Sequence, residues 1–412
     1  SAWVKGSMAE GRILTSINGN SSQTWVELQN SGAFRIANYV GSYNMQLITT
    51  RLFRDPSAWY NFVIAFDTTQ VTDTNRVKLY VNGVQETSFS TTTYPSQNLV
   101  LKYGVSGQTF NVGAKDTDTY WNGLMTHVHF IDGLQYAASD FGETDSTSGI
   151  WTAKTTPSVT YGNNGFFLKM ENASAMGTDS SGNSNTFTVS GSLTKNQDTP
   201  ANNFATLNPL NAFYTNSTFS NGNTTFASGN SSSGTVGNIL LNTGKCYWEV
   251  KAVSKAGGGD NYAIGIQGQE ATATNQFPGD QSTGWMFYGG GNYYNSGSGT
   301  SAGVTYTAGD IIGVALDCTN NKLYFSKNGT FILSGNPSTG ANGISITDPA
   351  SVTLGGYYPS QTFWENSTSG TFSINFGNGY FGTTAVSSAG TNASSNGIFE
   401  YDVPANFTAL ST

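Results

Sequence analysis

Charge is what this sequence has least of. Of 412 residues only 10% are Asp, Glu, Lys or Arg, against about 25% in an ordinary soluble domain, which leaves too few charged faces for a coiled coil or helical bundle. Basic residues are the scarcer kind, 17 against 25 acidic ones for a net charge of −8. Without a positive stripe to neutralise phosphates, nucleic acid is excluded as a partner. The two cysteines, Cys246 and Cys318, are too few for a disulfide framework. Whether they pair depends on a Cα separation the sequence does not give, and free thiols buried in strands are the expectation. No apolar run approaches the roughly 20 residues that cross a bilayer, the longest lying near 62–66 and 311–316, so no membrane insertion is expected. No basic-then-apolar export signal opens the chain. Its first residues, Ser1-Ala2-Trp3-Val4-Lys5, alternate like a strand already under way, and an upstream segment is expected. No stretch of twelve residues carries a 3.6-residue period with caps; the best helical candidate is one turn around 136–141, with Ser139 as its cap.

Glycine (50 residues) and aromatic side chains (13%) are abundant. Period-2 alternation recurs in short bursts at 58–66, 77–81, 127–131, 166–170, 247–250, 311–316, 322–325 and 372–376, separated by Gly, Asn, Ser and Thr clusters that supply turns. This predicts an all-β protein: two antiparallel β-sandwich (jelly-roll) domains in tandem, with almost no helix. Two strands run straight into Asn-Gly, at Asn82-Gly83 and Asn328-Gly329, the residue pair that tolerates the positive φ of tight hairpins. No other segment repeats between the halves, so the sandwiches are of different kinds. The strand signal is weakest over 188–237, where Pro200 and Pro209 interrupt it and the domains are expected to meet. Phe204, Leu207, Leu210, Phe213, Tyr214 and Phe219 make that region too apolar for a free tether, and it is assigned to the second domain. The predicted domains are 1–190, with its N-terminus truncated, and 191–412, including a leading strand region and a C-terminal tail.

The stretches Asp55-Pro56-Ser57-Ala58-Trp59-Tyr60-Asn61-Phe62-Val63, 77–84, Phe110-Asn111-Val112-Gly113-Ala114, Trp121-Asn122-Gly123 and His129-Phe130-Ile131-Asp132-Gly133 resemble, in that order, laminin-G-like domains of the concanavalin-A-like superfamily. Gly244-Lys245-Cys246-Tyr247-Trp248-Glu249-Val250, Ala263-Ile264-Gly265-Ile266, 308–317 and 323–329 resemble a SPRY domain. The pairing of these modules is similar to tail-fibre and other surface proteins of tailed-phage virions. That resemblance implies a non-enzymatic fibre or capsid decoration on the virion surface, a homo-oligomer (a trimer by analogy) among other virion proteins, recognising a host glycan or envelope. A secreted bacterial surface is the alternative location; an architectural capsid, tail or filament subunit and a polysaccharide depolymerase are the alternative functions.

Retaining glucanases need two carboxylates about 5 Å apart, and the Glu-x-Asp-x-(x)-Glu spacing that delivers them does not occur. The nearest acidic cluster, Asp140, Glu143 and Asp145, lies in a turn-rich stretch and reads as solvated loop acids. His127 and His129 sit two apart, on one strand face, but no third ligand is in sequence reach. No catalytic residue is assigned, and no cofactor apart from calcium. The resemblance to laminin-G-like domains implies rim-loop calcium ligands, for which Asp116 and Asp118, and separately Asp179, Asn183 and Asn185, are the candidates. Asn-x-Ser/Thr triplets at Asn20, Asn216 and Asn366 are not read as glycan sites. Aromatic platforms flanked by amide side chains suit neutral sugars. In the second domain Trp285, Tyr288, Tyr293 and Tyr294 form the densest such segment, with Tyr358 and Trp364 to Asn366 completing its rim. Tyr120 and Trp121 are the comparable spot in the first domain.

Overall fold

The computed structural model describes residues 1–6, 9–213, 217–229, 232–256, 261–269, 277–364 and 369–412; Tyr214, Asn216, Glu365 and Asn366 lie outside them. The chain is all-β: five single 3-10 turns are the only helical elements among the described residues. It divides into two compact units. The first comprises Ser1–Lys195 with Thr199–Ala201, and the second Asn196–Asp198 with Asn202–Thr412.

The first unit pairs a five-stranded sheet with a six-stranded one. The five strands run in the order Gly123–Thr126, Ala2–Gly6, Tyr60–Phe66, Val77–Val81 and Val84–Glu86. The six run Thr109–Val112, Gly11–Ile17, Ser22–Leu28, Ala33–Val40, Tyr43–Leu52 and Phe89–Thr93, all antiparallel. Alternation sends Val26, Leu28, Phe34, Ile36, Met45 and Leu47 inward, against Val4, Phe62, Leu79 and Val81. Phe34 stacks on Phe62 at 4.1 Å, and each such fully buried ring contributes about 1.5–3 kcal/mol. Asn82 and Gly83, at φ 47° and 80°, make the expected tight turn. The predicted helical turn is Ala138–Asp140, but Ser139 does not cap it; Asp140 Oδ2 reaches back to accept the Ala137 N–H at 2.7 Å.

The second unit packs a seven-stranded sheet against a nine-stranded one. The first runs Leu207–Phe213, Ser233–Gly237, Tyr358–Phe363, Tyr262–Gln267, Gly284–Tyr288, Asn292–Asn295 and Ser298–Ser301. The other is centred on Lys245–Ala256 between Ser369–Asn375 and Ile311–Asp317. Trp248, Tyr247, Ile264, Phe287, Val314 and Phe372 fill the space between them. Pro209 is accommodated because its strand lies at the sheet edge, where a missing N–H costs no ladder bond. Phe204, Leu207 and Phe213 are buried as expected, whereas Leu210 is exposed. The cysteines are unbridged, and burial pushes both thiols up to about 12.

One buried carboxylate closes the second unit. Glu249 has no solvent exposure and accepts the backbone N–H groups of Glu400 and Tyr401, each at 2.9 Å, the Tyr247 hydroxyl at 3.1 Å and the Asn375 amide at 3.3 Å. It thereby draws in a tail whose Thr408–Ala409 pairs in parallel with Cys246 and Tyr247. Burial pushes the Glu249 carboxyl from 4.5 up to about 7, against those donors. Between these values the folded state binds the proton more tightly than the unfolded one, so this group's contribution to stability falls as pH rises across the window. In urea unfolding followed between about pH 5 and about pH 8, the second unit therefore loses stability with rising pH. Glu249→Gln flattens that slope and lowers stability by about 2–4 kcal/mol, since its amide turns donors toward donors.

Candidate functional site

The outward face of the six-stranded sheet in the first unit holds polar side chains in register. Arg12, Glu27 and Arg35 stand opposite one another across three strands; Trp25 faces Ala37 in the next row and Gln23 faces Tyr39 in the one after. Glu27 is fully buried and bridges both cations, at 2.5 Å from Arg12 Nε and through its other oxygen to Arg35. Burial pushes the Glu27 carboxyl up and the Arg12 guanidinium down, and their mutual attraction offsets part of each shift. The Arg12 guanidinium lies 4.2 Å above the Trp25 ring and Arg35 5.5 Å from it, a cation–π arrangement in a poorly hydrated setting. These residues border a groove of about 380 Å³, whose rim adds Tyr39, Tyr43, Lys115 and Asn20. No carboxylate lines it, and Glu27 beneath is held by its two arginines.

Sequence reasoning passed over this site. The available signal was alternation itself: Gln23, Trp25 and Glu27, then Arg35, Ala37 and Tyr39, occupy one face of strands whose other face holds Val26, Leu28, Phe34 and Ile36.

The other residues singled out from the sequence are dispersed. In the second unit, Trp285 is only 5% exposed and packs edge-on against Tyr357 inside the core, and Tyr293 leans on the same core. Neither belongs to a rim, because in the strand Gly284–Tyr288 and its neighbour alternate rings point inward. Tyr288 and Tyr294 take the outward face, 4.7 Å apart, with Phe277 4.8 Å from Tyr288 and Trp364 5.7 Å from Phe277. Tyr358, half-buried, sits on the neighbouring strand Tyr358–Phe363. In the first unit Tyr120 is exposed, its hydroxyl donating to the Thr117 carbonyl at 2.7 Å. Trp121 instead covers backbone: a Cβ on Gly6 would come within 2.9 Å of its ring.

Of the calcium candidates, Asp179, Asn183, Asn185 and Asp118 bond within the chain. Asp179 accepts N–H groups of Phe167, Ser181 and Asn185 and the Ser181 hydroxyl, at 2.8–2.9 Å. Asn183 and Asn185 turn their amide N–H groups, not their oxygens, toward the Gly165 carbonyl at 2.9 Å. Asp118 accepts the Thr119 hydroxyl at 2.8 Å and faces Lys115 at 3.5 Å, and Asp116 is exposed. Among the described residues no group of three or more His, Cys, Asp or Glu is placed to hold a metal ion.

The two imidazoles do lie together, ring centres 6.4 Å apart. His129 is buried, stacked on Phe167 at 4.0 Å, with Nδ1 2.9 Å from the Tyr161 hydroxyl. His127 places Nδ1 3.0 Å from the Thr126 hydroxyl. Burial above all holds His129 well below 6.5. The fold therefore needs it neutral, and its contribution is present above about 6.5 and lost as pH falls below it. Acidification from about pH 8 to about pH 5 lowers the calorimetric midpoint of the first unit, and His129→Gln removes that part of the acid sensitivity.

The first unit is matched over residues 1–137 by the family model of the concanavalin A-like lectin/glucanases superfamily, and the second over residues 245–373 by that of the SPRY domain. The chain carries a concanavalin A-like domain and a SPRY domain. Similar curated proteins include Ran-binding protein 9 of Danio rerio, 37% identical over 89 residues that make 21% of this chain and 14% of that protein. Ran-binding protein 10 of Danio rerio is 38% identical over 86 residues, 20% of this chain and 14% of its own length. Ran-binding protein 9 of Homo sapiens is 38% identical over 86 residues, 20% and 11%. The chain thus spans about one seventh, or less, of the curated relatives it matches. Among solved structures, the SPRY domain of human HERC1 is 17% identical with a TM-score of 0.32, covering 41% of this chain and 96% of that one.

These relatives overturn the virion reading. The strand-and-turn grammar of a SPRY domain recurs in animal Ran-binding proteins, so its pairing with a concanavalin A-like domain does not specify a tail fibre or capsid decoration. The virion or secreted surface location and the host-glycan role are withdrawn with it, and the fibre-type trimer loses its ground. SPRY domains mediate protein–protein interactions, which leaves partner binding as the common statement. Among the described residues no helix is long and apolar enough to cross a membrane.

Proposed function

We propose that the chain is a non-catalytic recognition protein whose SPRY domain docks a protein partner. The observation that carries this reading is the line of half-exposed rings Tyr288, Tyr294 and Trp364 on the outward face of the seven-stranded sheet, linked through buried Phe277. Aromatic side chains of this kind supply large contact area at low entropic cost and are enriched at interface centres. The absence of a catalytic role is supported by what holds the buried acids and imidazole. Glu27 serves two arginines, Glu249 four donors, Asp317 the Asn320 side chain and backbone together with Lys245, and His129 the Tyr161 hydroxyl. The reading requires no metal and no cofactor.

The test is selection of peptides from a displayed random library on the intact chain, followed by calorimetric titration of the enriched sequences. Peptides that bind the native chain lose about tenfold or more in affinity with Tyr288→Ala or Tyr294→Ala, while both variants keep the native unfolding midpoint within a few degrees. Enriched peptides whose affinity is the same on both variants would place docking elsewhere and sink this assignment.

A further inference from the structure

The seven-stranded sheet of the SPRY domain ends on a bare edge. Its last strand, Ser298–Ser301, is exposed at every residue. The hairpin that carries it turns through Ser296-Gly297, at φ 51° and 70°, the two positive values of a type I′ turn. Asn295 and Ser298 therefore exchange ladder bonds, as do Tyr293 and Thr300, and the N–H and C=O groups of Gly299 and Ser301 point away from the sheet. Among the described residues nothing bonds to those backbone groups. Such edges are usually blunted by charge, proline or a bulge, as the opposite edge Leu207–Phe213 is by Pro209 and by a bulge between Leu207 and Ala212. Here no charged residue occurs between Asp280 and Asp310. The turn is also held in place: the Gly297 N–H donates to the Gly279 carbonyl at 3.0 Å, the Ser296 N–H to that of Gln281 at 3.1 Å and the Asn295 amide to that of Gly284 at 2.9 Å.

Resting on the reading of this domain as a protein-docking module, we propose that its partner is bound as an added strand: an extended segment of alternating β-branched residues, with a Lys or Arg at one end, pairs with Gly299 and Ser301. Directly paired residues share a face, so the side chain opposite Gly299 comes to lie beside Tyr294. Gly299 leaves that place to the ring, since a Cβ on it would come within 2.8 Å of Tyr294. Tyr288, 4.7 Å from Tyr294, continues the same surface. Main-chain bonds then supply the attachment and the rings supply the choice of side chain. The basic end meets Asp280, which stands beside the turn, 3.8 Å from where a Cβ on Gly297 would lie, with burial alone acting on its carboxyl, in a chain of net charge −8. A second copy of the chain does not suit this edge. Four residues of strand extend about 14 Å, and two such edges bury far less than the about 1,200 Å² of a stable dimer.

The peptides enriched from the displayed library on the intact chain are the probe. Their sequences alternate Val, Ile or Thr and carry a Lys or Arg at one end. N-methylation at every second residue of the best binder gives two versions, one with its methyl groups toward the edge and one with them toward solvent. The first binds about tenfold or more weakly, and the second keeps its affinity. Ser301→Pro removes an edge donor without costing a ladder bond and weakens the unmodified peptide by about tenfold or more. The methylated pair is read on the native chain, so the result does not hinge on that variant folding. Enrichment of no peptide overturns the docking reading and the added strand together. Three outcomes overturn the added strand alone: enriched sequences that are acidic or lack the alternation, peptides that lose affinity on Tyr294→Ala yet respond equally to both methylation patterns, or a dimer in sedimentation that Ser301→Pro dissolves.

Discussion

A carboxylate taken out of water must be met by donors fixed in advance, and both domains are organised around one. In the SPRY domain, Glu249 meets four neutral donors, two of them backbone groups of the tail. In the concanavalin A-like domain, Glu27 meets two arginines. Neutral donors consume the charge locally and leave nothing over, so Glu249 acts as a clasp. Glu27, joined to Arg12 on one neighbouring strand and Arg35 on the other, ties three strands of its sheet together.

Scarcity of charge sharpens this contrast. With 42 charged side chains among 412 residues, ion pairs are few; among them Arg12–Glu27–Arg35 and Lys245–Asp317 stand where strands bring them into register, and Lys115–Asp118 lies within one loop. Elsewhere the loops are held by Asn, Asp, Ser and Thr bonding to nearby backbone. The Asp179 turn shows that residues with the look of a metal loop can be engaged as scaffolding.

The all-β class, the Asn-Gly hairpins and most of the strands were legible because period-2 alternation and positive-φ turns are local properties. The virion role was not, since the order of two domains along a chain does not carry the identity of the assembly that uses them. The groove was illegible for a physical reason: Arg12, Glu27 and Arg35 are brought together only by the register of three strands, and no spacing within one segment announces it. Ring density in a sequence does not carry exposure: within Gly284–Tyr288 Trp285 and Phe287 face the core and Tyr288 faces out, and on the next strand Tyr293 is half-buried against the same core. The Asp140 side chain, not Ser139, completes the small turn because Ser139 is its middle residue, whereas Asp140 stands three residues after Ala137 and accepts its N–H.

The parallel pairing of Thr408–Ala409 with the start of the strand Lys245–Ala256 has a temporal side. Glu249 and the Glu400 amide that satisfies it are 151 residues apart in sequence. At ribosomal speeds of about 5–20 residues per second, roughly eight to thirty seconds separate their appearance. Until then Glu249 lacks the two backbone donors that meet it in the folded domain, so the docking of the tail is among the last steps open to this domain.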